Sequence, residues 1–224
     1  MVSSFLRLND LYQPELIMKI KFFIAFLLTW QIVCAQHLYK AVEDYFPANP
    51  FKTEFSLFIN NLLKDPALVE RDIKKKTDST LFFLQGIYQA HSPFFFPSTR
   101  CKIILAEQQE YMDSTSAEAY TFFVYQLIGY ANPGAVGLRD IKEEFERMNR
   151  RLKKGLAAEE QKILKRGSEQ SGAIINYSYK DTVFNPLTIA WATSADNKEN
   201  IIVLSIRFFL IDNKAYLPIP ADSP

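Results

Sequence analysis

The chain has 224 residues, of which 48% are hydrophobic, and its 26 basic side chains face 25 acidic ones. A balance so close to neutral lacks the basic excess that a phosphate backbone demands, so nucleic acid is excluded as a partner class. The length fits one domain or two small ones and suffices for a core that folds without staples.

Near the N-terminus, MKIKFFIAFLLTWQIVCAQ (18–36) places Lys19 and Lys21 ahead of a mostly apolar run from Phe22 to Val33, which closes on Cys34-Ala35. That order of basic, apolar and small residues is the order of a secretory signal peptide. The apolar run falls short of the roughly 20 residues that span a bilayer, and it contains Thr29 and Gln31. A lipid anchor on Cys34 calls for a small residue before the cysteine, where Val33 stands. The expectation is therefore residues 1–17 as a non-native or disordered extension, 18–35 as a signal peptide cleaved after Ala35, and a mature protein in the periplasm or secreted, with no membrane span. Cleavage leaves 189 residues with 23 basic and 23 acidic side chains, and Cys101 as the one remaining cysteine. A lone cysteine forms no internal disulfide, which suits a bacterial periplasm.

Residues 36–50 read as a lead-in that docks through Tyr39, Tyr45 and Phe46, and residues 51–224 as a single domain. From Lys52, Phe55, Phe58, Ile59, Leu62 and Leu63 recur at helical spacing, and Asp65-Pro66 supplies a stop. After a turn at Lys76–Ser79, three strands are predicted over Thr80–Ala90, Arg100–Gln109 and Tyr120–Tyr130, the last ended by Asn132-Pro133-Gly134. Leu138–Arg166 changes period: Ile141, Phe145, Met148, Leu152 and Leu156 share one face of a long helix. Gly155 divides that helix, with Ala157–Lys165 as its second piece. The remainder is strand-like. Ala173–Lys180 alternates, Leu187–Thr193 and Asn200–Ile211 follow, and Asp212-Asn213 turns into Ala215–Ile219.

The sum is an α+β fold: an antiparallel sheet of about six strands, with two main helices packed on one face. Its order of helix, three strands, helix, then three to four strands is nearly a repeat, although the two halves share no matching residues.

Chemistry-bearing patterns are sparse. His37 and His91 are the two histidines, and neither a zinc spacing nor a phosphate-binding glycine loop occurs, so no metal or cofactor is expected. Glu143-Glu144 and Glu159-Glu160 are adjacent on the expected helix and diverge by about 100 degrees, which fits a solvated face and not an acid–base pair. The basic cluster from Arg147 to Lys154 is offset by glutamates at 143, 144 and 146 and reads as a salt-bridged helix. Two features remain. Cys101 and His91 flank one loop, the arrangement of a thiol nucleophile with its base. Within that loop, Phe94-Phe95-Phe96 stand between Pro93 and Pro97, either as a plug over the sheet or as an aromatic binding surface with His91 beside it. The functional expectation is an exported, non-enzymatic domain that binds a protein partner or an apolar small molecule. The alternatives are a carrier of a lipid-like ligand and a hydrolase or thiol enzyme using Cys101.

Overall fold

The computed structural model of the chain describes residues 38–40, 42–77, 79–88, 100–111, 119–154, 156–159, 161–166, 168–178, 185–193 and 199–217. Three helices and ten strands are present among them. Helix α1 is described at 38–40 and 42–45, α2 is Phe55–Lys64 and α3 Gly134–Leu152. The strands in chain order are β1 (Leu68–Lys74), β2 (Phe83–Tyr88), β3 (Arg100–Tyr111), β4 (Ala119–Ala131), β5 (Ala157–Ala158), β6 (Lys162–Arg166), β7 (Glu169–Ser178), β8 (Leu187–Thr193), β9 (Asn200–Ile211) and β10 (Lys214–Tyr216).

All ten strands belong to one antiparallel sheet in the order β1-β2-β3-β4-β9-β8-β7-β5, with β6 also on β7 and β10 on β9. This corrects the expected sheet of about six strands carrying two main helices. Two misreadings account for the difference. β1 exposes most of its length, so its sequence Leu-Val-Glu-Arg-Asp-Ile-Lys carries no apolar alternation to read. Residues 157–165 read as helix because Ala, Glu and Lys favour it, yet pairing with β7 draws them into β5 and β6, since tertiary context overrides a weak local preference. Together β5 and β6 make one interrupted edge strand: Ala158 opposes Tyr177, the Glu159 N–H donates to the Asn176 carbonyl, and Lys162 opposes Ile174.

The near-repeat is architectural. α2 precedes β1 to β4, and α3 precedes the β5/β6 edge, β7, β8 and β9, so the two halves meet along β4 and β9 at the centre of the sheet. On one face, called here the core face, alternate residues of every central strand are buried. Leu84, Leu105, Tyr125 and Ile206 form one row across it, and Ile103, Leu127, Leu204, Ile189 and Ile175 form the next. The helices cover this face. Phe55 and Phe58 of α2 meet Phe123 and Tyr125 at ring-centroid distances of 4.7 and 5.6 Å, and Phe46, just beyond α1, meets Tyr125 at 4.5 Å. On α3, Asn149 accepts a buried 2.8 Å hydrogen bond from the Tyr177 hydroxyl. The lead-in thus contains a helix whose Leu38 and Val42 are fully buried, and Tyr45 and Phe46 dock as expected.

The helix ends are satisfied at long range. The α2 N-cap residue, Glu54, makes no side-chain cap; the Phe55 N–H donates to the Asn213 carbonyl at 2.7 Å and the Ser56 N–H to Asn213 Oδ1 at 3.2 Å. Asn213 lies in the two-residue turn between β9 and β10, where Asp212 and Asn213 both have positive φ, 49° and 62°. At the other end of α2, Arg71 donates to the Leu63 and Asp65 carbonyls at 2.5 and 2.7 Å. Ahead of α3, the buried Asn200 side chain donates to the Asn132 and Gly134 carbonyls at 2.9 and 3.1 Å. The helix backbone passes so close to this turn that a Cβ on Gly137 would lie 1.8 Å from the Asn132 oxygen.

Candidate functional site

Of the residues singled out in the sequence, Cys101 lies in the described part of the chain, while His91, Phe94, Phe95 and Phe96, like the signal segment, lie outside it. Cys101 is fully buried on the core face, between Tyr88 and Gly129 in adjacent strands. The expected solvated glutamate face is corrected at Glu144, which is 5% exposed and takes a bidentate interaction from Arg147 at 2.5 and 2.9 Å. Arg151 reaches Asp44 and donates to the Tyr45 hydroxyl at 3.1 Å, tying α3 to α1. Two members of the basic cluster, Arg147 and Arg151, are therefore committed within the molecule. No group of three or more His, Cys, Asp or Glu side chains with metal-holding geometry occurs among the described residues.

Two other features stand out, one on each face of the sheet. On the face away from the helices, strict alternation directs every second residue outward, and an antiparallel sheet with one solvated face is ordinarily polar there. Here Ile128, Val203, Ala190 and Ile174 lie side by side on β4, β9, β8 and β7. The neighbouring row is Tyr130, Ile201, Ala192 and Gly172. Nearly all of these residues are half-buried, with no described helix above them. A polar row, Gln126, Ser205, Thr188 and Asn176, borders the band, with Thr188 donating to Asn176 at 2.8 Å. Two cations stand on the same face, one at the end of the Ile128 row and one beyond the polar row. Lys102 stands beside Ile128, and Arg207 stands beside Val124 with its guanidinium 5.4 Å from the Phe122 ring. Neither has an ion-pair partner among the described residues.

On the core face, the β4–β9 ladder ends at Phe123 opposite Phe208, while β4 continues along β3 to Ala119 and β9 turns away to pair with β10. The fork leaves a crevice of about 400 Å³ between Thr121 and Leu210. Phe55, Phe82 and Phe123 supply its aromatic walls. At one side is Glu107, 4% exposed, whose carboxylate pairs with the Lys76 ammonium and accepts a 3.1 Å hydrogen bond from the Phe82 N–H. The strand expected over Arg100–Gln109 contains Glu107, but the sequence pattern does not single out its pairing with Lys76. The available signal is parity: Cys101, Ile103 and Leu105 are core-facing, so Glu107 continues the buried row.

No family model, curated protein or solved structure matches the chain. No described helix is long and apolar enough to cross a membrane.

Proposed function

We propose that this chain is an exported, non-enzymatic interaction domain that docks a protein partner on the sheet face opposite its helices. The observation that carries this reading is the apolar band of Ile128, Val203, Ala190 and Ile174 with its neighbouring row, over which no described helix lies. The side chains of the band are half-buried, so each still has apolar surface that a partner would remove from water, and burial of that surface drives association. Lys102, at the end of the Ile128 row, and Arg207, beyond the polar row, define the partner's chemistry: an apolar surface bordered by carboxylates. The buried position of Cys101 weighs against a thiol mechanism, and the basic, apolar and small-residue order of 18–35 supports export.

The test is Ile128→Lys with Val203→Lys in the full chain, purified from the producing cells alongside the unaltered protein. Native mass spectrometry is expected to show a heteromeric complex for the unaltered chain and free chain for the double variant, with thermal midpoints within a few degrees of each other. A large fall in midpoint would mean that the chain covers this face itself and would end the proposal. So would an unaltered chain recovered free of partner. N-terminal sequencing of the exported form checks the localisation, with Gln36 the expected first residue.

A further inference from the structure

From the forked ladder on the core face we infer a second, independent site, which takes a small apolar molecule carrying one uncharged hydroxyl group, such as an alkylphenol or a fatty alcohol. The crevice of about 400 Å³ lies within the roughly 300–1,000 Å³ typical of small-molecule pockets, and its walls are predominantly aromatic and aliphatic. The site is built by the fold. The β9–β10 turn that carries Asn213 pins the N-terminus of α2, so Phe55 stands at the wall while β9 diverges from β4.

The polar end of the crevice decides the ligand's head group. Glu107 is almost wholly buried, and its two carboxylate oxygens receive one hydrogen bond each among the described residues, from Lys76 and from the Phe82 N–H. A carboxylate offers about four acceptor positions and an ammonium three donors, so the pair retains both acceptor and donor capacity at the crevice. The pair is also neutral as a unit. A ligand carboxylate drawn to Lys76 meets Glu107, and a ligand ammonium drawn to Glu107 meets Lys76. A hydroxyl gains from both, accepting from the Lys76 ammonium and donating to Glu107. Because a site built to hydrogen-bond a hydroxyl leaves its own polar groups unpaired with the analogue that lacks one, it discriminates strongly against that analogue.

Titration calorimetry on the full chain with 4-butylphenol, butylbenzene and 4-phenylbutyrate tests the assignment. The phenol is expected to bind one to one, about tenfold or more tightly than either of the others. Thr121→Trp, which fills the crevice from a half-buried position, is expected to abolish the binding, and Lys76→Met to reduce the phenol's advantage over butylbenzene. Circular dichroism on each variant verifies that it is folded. Equal affinity for the three probes would overturn the choice of head group. Absence of saturable phenol binding, or binding unchanged in a folded Thr121→Trp variant, would overturn the site itself.

Discussion

The two faces of the central sheet share strands, backbone and apolar composition, yet one is sealed by three helices and the other carries its isoleucines and valines without a described cover. On the core face Leu204 and Ile189 are fully buried, whereas their sequence neighbours Val203 and Ala190 on the opposite face are half-buried. The difference teaches that hydrophobicity alone does not stabilise this fold; stability follows from what stands opposite each row. Substitutions on the two faces should therefore separate in their effects.

Trp191→Ala should be the most damaging. Trp191 is 2% exposed on the core face with the Lys142 ammonium 4.8 Å from its ring, and its truncation is expected to cost about 3–5 kcal/mol in a denaturant melt. Asn213→Ala comes next. It removes the long-range cap of α2 and places alanine at a φ of 62°, for an expected loss of about 1–3 kcal/mol, and replacement by glycine should recover the part due to backbone strain. Tyr177→Phe removes a buried hydroxyl that donates to Asn149, so a loss of about 1 kcal/mol at neutral pH is expected. This variant also has a pH signature. Burial raises the Tyr177 phenol above its ordinary 10.0, and burial together with the Asp65 carboxylate raises Tyr88 likewise. A group whose folded pKa is raised contributes stability that is complete below the unfolded value and lost as pH climbs above it. Chemical melts from pH 8 to 12 should accordingly show stability falling above about pH 10, less steeply in Tyr177→Phe. The smallest effect belongs to the other face, where Ile128→Lys alone should change stability by no more than about 0.5–1 kcal/mol, because a lysine stem can lie along the band with its head in water. A loss there as large as that of Trp191→Ala would abolish the distinction between the faces. Cys101 offers an independent check: reaction with a thiol reagent should proceed only as the protein unfolds globally, since the residue is fully buried in a central strand.

Much of the fold was legible where local pattern and final environment agree. β8 and β9 were read with the boundaries they have, and Ile175 and Tyr177 of β7 were placed correctly on one side, because buried central strands impose a period-two pattern on their own residues. The α3 face of Ile141, Phe145, Met148 and Leu152 was equally plain. Edge strands were not legible: Leu68–Lys74 and Lys162–Arg166 are held by hydrogen bonds to β2 and β7, and backbone pairing leaves little trace in side-chain polarity. The candidate sites were less legible still. The apolar band becomes visible only when alternate residues of four strands are set in register, and the crevice depends on where β9 parts from β4.

By itself, then, the amino-acid sequence determined the near-neutral charge, the basic, apolar and small-residue order of 18–35, and which residues of each strong element face inward. These are properties of neighbouring residues, set by composition and by periods of 3.6 and 2. Tertiary structure alone decided that ten strands join one sheet and that helices cover one face of it. It also decided that Asn213 caps a helix 157 residues away and that Glu107 and Lys76 meet at a forked ladder. The physical reason is common to all of them: each is a pairing between groups distant in the chain, and a local pattern records that a residue is buried without recording its partner.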